Sequence, residues 1–235
     1  MEFAISIAGY VVGLPLELLI IAALLHGGYR RFPGVFAYVI AEFLSTVIEM
    51  PQALAWYRTH DILIGNYYAT WYWRDEFALQ VLVLIVVIDL IWSASSAARS
   101  RRMIRSALLI GIVLFIGISF LIHYDPAAQA LHRPGKWLTP WARDLNFGAA
   151  ILDMVLWAML IAKRQKDSRV LMLSAGLGIM FTGEAIGESM RTLSSSAVTA
   201  GGILMIVTNF AFNYIWWQTF RAPRAVLVSD PKYGR

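Results

Sequence analysis

Seven carboxylates (Glu17, Glu42, Glu49, Asp89, Asp153, Glu184 and Glu188) fall inside long apolar stretches of this 235-residue chain, and Glu76 stands at the edge of one. No Lys or Arg lies in the interior of those stretches to pair with them. Acids so placed can hold protons, a metal ion or a cationic ligand. An ionised carboxylate at the centre of a bilayer costs about 2.5–3.5 kcal/mol on insertion scales, so seven facing lipid would not be tolerated. They are expected to share a protein interior and to be protonated unless something cationic or aqueous reaches them.

Their spacing agrees with a shared interior. Glu42, Thr46 and Glu49 lie on one stripe of a helix. Glu184 and Glu188, Asn209 and Asn213, and Glu76 and Gln80 are each one turn apart. At ~1.5 Å rise per residue the acids sort into two layers. Glu17, Glu42, Asp89 and Asp153, with Asn209, form an inner layer roughly 8–15 Å from the cytoplasmic ends. Glu49, Glu184 and Glu188, with Gln80, form an outer one, and Glu76 and His123 lie nearer the outer surface. The outer acids are the expected ligands or proton acceptors, and Gln80, Asn209 and Asn213 the groups that orient them.

The elements that must position these residues are membrane helices. The chain is 59% hydrophobic and 15% charged, with a mean hydropathy of +0.62. Its apolar residues arrive in blocks: Ala4–Leu25, Gly34–Trp56, Glu76–Ala94, Met103–Tyr124, Asn146–Ala162, Val170–Met190 and Ala197–Phe220. Each approaches the ~20 residues that cross a bilayer as helix. None alternates as a barrel strand would, and a spanning segment must satisfy its own backbone. The sequence therefore predicts an all-α polytopic bundle of seven transmembrane helices. It is one domain over 1–220, followed by a short basic tail at 221–235. The fourth span, lacking an internal carboxylate, is expected at the periphery. Met1-Glu2-Phe3 lacks the basic start of a cleaved signal, so the first block is expected to stay as a span.

Orientation follows from the cations. Segments after the odd-numbered spans hold Arg30 and Arg31; Arg99, Arg101, Arg102 and Arg105; Lys163, Arg164, Lys166 and Arg169; and Arg221, Arg224, Lys232 and Arg235. The opposite face holds Arg58, Arg74, Arg133, Lys136, Arg143 and Arg191. The positive-inside rule makes the first face cytoplasmic, giving an N-out, C-in protein of a cell membrane, expected to be a bacterial inner membrane. The formal charge of +5 thus suits anionic headgroups rather than nucleic acid. The cytoplasmic loops are too short for a nucleotide or zinc module. Those around Arg99–Arg105 and Lys163–Arg169 offer a grip for a protein partner. On the outer face, Tyr57–Asp75 and Asp125–Leu145 read as longer loops rich in aromatic residues or proline. They suit an interfacial belt, with Tyr72 and Trp73 as a lid over an outward-facing pocket in the sharper alternative.

Gly28-Tyr29-Arg30-Arg31-Phe32-Pro33 after the first span, with Tyr72-Trp73-Arg74-Asp75-Glu76 opening the third, resembles a pattern in uncharacterised seven-span bacterial membrane proteins. That resemblance implies a membrane protein of the same layout and no activity. The single Pro51-Gln52 resembles the Pro-Gln pair of small sugar and amino-acid carriers, but the second matching bundle of those carriers is missing.

Several chemistries are excluded or disfavoured. There is no cysteine, hence no disulfide, thiolate nucleophile or thiolate-held metal. The lysines are Lys136, Lys163, Lys166 and Lys232, all in loops or tail, which excludes a retinal Schiff base in the last span. The histidines, His26, His60, His123 and His132, are not placed as facing haem ligands within the bundle. A metal-dependent hydrolase would have to use His123 with Glu184 and Glu188. What is expected is an interior acidic site for a cation, protons or a small ligand, in a transporter or ligand-sensing membrane component, ahead of an intramembrane metal-dependent hydrolase. The alternative is an accessory subunit of a larger complex. Gly183 and Gly187 have the small-residue spacing that brings two membrane helices close, and Pro15 and Pro51 should kink theirs.

Overall fold

The computed structural model describes residues 2–95, 101–126, 135–162, 167–193 and 197–221. The apolar blocks are helices: α1 (Glu2–Ala23), α2 (Pro33–Thr59), α3 (Ile62–Ala94), α4 (Arg101–His123), α5 (Gly135–Ala162), α6 (Ser168–Leu193) and α7 (Val198–Arg221). All seven are long and apolar enough to cross a bilayer. The protein is an all-α, multi-pass integral membrane protein. Lipid contact shows in an inverted surface: Val113, Leu121 and Ile122 of α4 are among the most exposed side chains. In water such a face would be an aggregation surface; against acyl chains it is the solvated one.

Helix ends follow local chemistry. Proline at the first turn of α2 uses a position where no N–H is needed. Asp89 of α3 reaches the backbone of Gly34 at that same helix start, where the dipole favours an anion. α2 stops at His60, which adopts a left-handed conformation (φ 51°) while its N–H bonds the carbonyl of Trp56 at 2.8 Å. α1 runs into a wide π-type turn, Leu24–Gly28, where Gly27 takes φ +112°. Only glycine adopts that angle without strain.

The helices close into a ring. α1 packs on α2, α2 on α3, α3 on α5, α5 on α6, α6 on α7, and α7 back on α1, while α4 lies outside against α5. The peripheral fourth span expected from its composition is therefore found. α6 and α7 associate most intimately, and glycine is the reason. A Cβ on Gly183 would overlap the Thr208 side chain, and one on Gly187 would overlap Met205. Inside the ring, Trp216, Phe212 and Tyr38 form an aromatic layer, with ring centroids 4.4 Å (Phe212–Trp216) and 5.7 Å (Tyr38–Trp216) apart. Trp216 Nε1–H bonds the carbonyl of Leu173 at 3.0 Å, which lets an indole be fully buried.

Two expected loops are corrected. The segment Tyr57–Asp75 is helical apart from the short turn between α2 and α3, and α5 begins at Gly135, ten residues before the expected loop end. Backbone near the headgroups gains most by continuing the helical ladder, and the aromatic residues form their belt on helices instead of on loops. Tyr72 and Trp73 sit half-buried on α3, edge-on 5.2 Å apart, and not in a loop. Of the expected cytoplasmic basic groups, those at residues 96–100, 163–166 and in the tail 222–235 lie outside the described residues.

Candidate functional site

The ring interior gathers most of the candidate residues around Tyr38. Its buried hydroxyl lies within electrostatic reach of Glu42, Glu184, Glu76 and Glu17, contributed by four different helices. Glu17 of α1 and Glu184 of α6 both lie within electrostatic reach of Glu42 on α2. Asn209 of α7 donates to Glu42 Oε1 at 3.5 Å, and Asn213 donates to Asn209 Oδ1 at 2.9 Å. Glu17 (3% exposed), Glu42 (7%), Gln80 (6%) and Asn213 (0%) are all buried. Helical spacing explains the convergence: residues one turn apart share a face, and in a ring only one face of each helix points inward.

The balance of donors and acceptors defines the chemistry. Glu17 Oε2, Glu42 Oε2, Gln80 Oε1 and Asn213 Oδ1 are buried with no hydrogen-bond partner. Each is an oxygen, so each asks for a proton donor or a cation. A buried acceptor left unsatisfied costs about 1–3 kcal/mol. Arg58, Arg74 and Arg143, the described arginines on this side of the helices, are exposed.

Further out, Gln80 Nε2 donates to Glu76 Oε1 at 3.0 Å. Glu49 does not join Glu184. It lies within reach of Asp75 and Glu76 and beside the Tyr10–Tyr68 hydroxyl pair, between α1, α2 and α3. Ser45 donates to Asp75 Oδ1 at 2.5 Å on the same side. Glu76 is thus the link between this outer group and the interior around Tyr38. Glu184 instead receives a hydrogen bond from Asn146 of α5. Glu188 follows one turn along α6, but its side chain is outside the described residues.

The remaining acids separate from the centre. Asp153 is satisfied by Ser174 Oγ at 2.5 Å between α5 and α6. Asp89 belongs to the helix start at Gly34. Within the expected inner layer, Asp153 and Asp89 thus have partners of their own, apart from Glu17 and Glu42. His123 pairs with Asp144 at 2.9 Å, and Ser119 donates to the same carboxylate at 2.7 Å, on the α4–α5 contact. Of the expected metal set, His123 is bonded to Asp144 and Glu184 to Asn146, and the Glu188 side chain lies outside the described residues. Among the described residues no three His, Asp or Glu converge as metal ligands.

Four residues of the site were not among the expected ones: Tyr38, Asn146, Ser45 and Asp75. Asn146 carried a signal, lying two turns before Asp153 and so on the same stripe. Tyr38 carried none, because a tyrosine in an apolar run has the same pattern whether its hydroxyl meets acids or lipid headgroups. No protein-family model, curated protein or solved structure matches the chain.

Proposed function

We propose that this seven-helix membrane domain over 1–220 binds a monovalent cation or exchanges protons inside its ring. It would do so as a transporter or a ligand-sensing component of a cell membrane, with Glu42 and Glu17 at the centre and Glu76, Gln80 and Glu49 leading outward. One observation carries this: the buried centre holds orphaned oxygen acceptors from Glu17, Glu42 and Asn213 and, among the described residues, no cationic side chain. Asp153, held by Ser174, leaves no buried oxygen orphaned, whereas Glu17 and Glu42 each keep one even though Asn209 bonds the other oxygen of Glu42. The chain of neighbours from Glu49 through Asp75, Glu76 and Tyr38 to Glu42 and Glu17 supports a route from the outer side. On the cytoplasmic side, Trp216 and the Phe32–Phe220 pair close the ring, as a gate would.

Flux in proteoliposomes is the test. Imposed gradients of H⁺, Na⁺ or K⁺ should drive movement in the intact protein, and Glu42→Gln should lower it at least tenfold. If none of the three ions moves, and none at saturating concentration raises thermal stability, the proposal fails. A partner protein held by the cytoplasmic basic loops would then become the better account.

A further inference from the structure

Where α1 ends, the fold leaves a cavity of about 590 Å³ on the cytoplasmic face, outside the ring. The π-type turn opens it: Gly27 swings the chain aside at φ +112°, and Gly28 lies so close to Phe220 that a Cβ there would sit 3.3 Å from its ring. The cavity is two-sided. Ala22, Trp217 and Phe220 form an apolar wall toward the membrane, and Arg169, Arg221 and His26 rim the cytoplasmic side. The Arg221 guanidinium rests 4.8 Å from the Trp217 ring centroid, which holds it over the opening. His26, which also lines the cavity, donates Nδ1–H to the Ala22 carbonyl at 2.7 Å. Among the described residues, no carboxylate lines the cavity. Asp167, the nearest acid in sequence, is held by Arg31 instead.

We propose that this cavity binds the phosphate of an anionic phospholipid from the cytoplasmic leaflet. Two guanidinium groups offer the forked donors that phosphate oxygens accept in pairs. An apolar wall continuous with the lipid-facing side of α1, where Leu18 and Leu19 are exposed, takes the glycerol and the first methylenes. A free phosphate would use the arginines but gain nothing from that wall. The size falls within the range of small-ligand cavities, about 300–1,000 Å³. Basic pockets between helices at the cytoplasmic surface are where anionic headgroups gain most.

Native mass spectrometry of the full chain, released from mixed micelles of phosphatidylglycerol and phosphatidylcholine, tests the assignment. Phosphatidylglycerol should be retained in preference to phosphatidylcholine and should survive excess inorganic phosphate. At about 1 kcal/mol per arginine near the surface, Arg169→Gln with Arg221→Gln should lower retention roughly 30-fold. Ala22→Phe, which fills the apolar side and leaves both arginines, should lower it too. Arg143→Gln, on the opposite face, should leave it unchanged. Equal retention of the two lipids, retention undiminished in either cavity variant, or displacement of the lipid by inorganic phosphate would each overturn the proposal.

Discussion

Replacing Gly183 by alanine should pry α6 from α7 and disturb the acidic interior without touching an acid. An alanine Cβ would coincide with the Thr208 side chain, overlapping its Oγ1, Cβ and Cγ2 together. Thr208 cannot easily turn away, because its hydroxyl is bonded to the carbonyls of Leu204 (2.9 Å) and Met205 (3.0 Å). The backbones must separate instead, and overpacking of this kind costs about 1–3 kcal/mol. The strain falls next to the site, since Glu184 adjoins Gly183 on α6 and Asn209 adjoins Thr208 on α7. Thr208→Gly removes all three overlapping atoms at the cost of a helical glycine, about 0.5–1 kcal/mol relative to alanine. Unfolding in mild detergent, followed by tryptophan fluorescence, measures both single variants and the pair. The double variant should be more stable than the sum of the singles predicts, by about 1–3 kcal/mol of coupling. If Gly183→Ala is neutral, or if the two changes add within about 0.5 kcal/mol, the close approach of α6 and α7 is not set by this glycine.

Ser174→Ala should destabilise by about 1–3 kcal/mol in the same unfolding assay, because it strips the hydroxyl donor from Asp153, only 3% exposed. Ser174→Thr, which keeps a hydroxyl, should recover part of that loss. Arg31→Ala should cost less than about 1 kcal/mol, since its ion pair with Asp167 is exposed on the arginine side and screened. A larger loss would mean that this pair fixes how the α1–α2 turn sits on the start of α6.

How much of this was legible in the chain depends on what each residue answers to. Hydropathy located the seven helices, because crossing a bilayer is a constraint on composition and length alone. It missed the outer ends of α3 and α5. In segments such as Asn66–Trp73, amphipathic aromatic residues lower the apolar signal without ending the helix. The inward stripes of Glu42, Asn209 and Asn213 were readable from helical period. The grouping of the acids was not, because it depends on the rotation and neighbours of each helix. Thus Glu49 faces the Tyr10–Tyr68 pair, and Glu184 faces Asn146. Asp89 had the sequence pattern of an intramembrane acid, yet its place is the start of another helix. His123 had the pattern of a metal ligand, and its partner turned out to be an aspartate one helix away. In both cases the deciding contact is distant in sequence, and helical period carries no information about it.

Infrared difference spectroscopy on the carboxyl groups tests the central claim most directly. The purified protein in lipid is switched between buffers of different pH and between saturating Na⁺, K⁺ and a large inert cation. The account predicts that a protonated-carboxyl band is lost on deprotonation or on binding of a small cation, and that this change disappears in Glu17→Gln with Glu42→Gln. A carboxyl band that no pH or cation alters would contradict it, leaving Glu17 and Glu42 as permanently protonated contacts between helices.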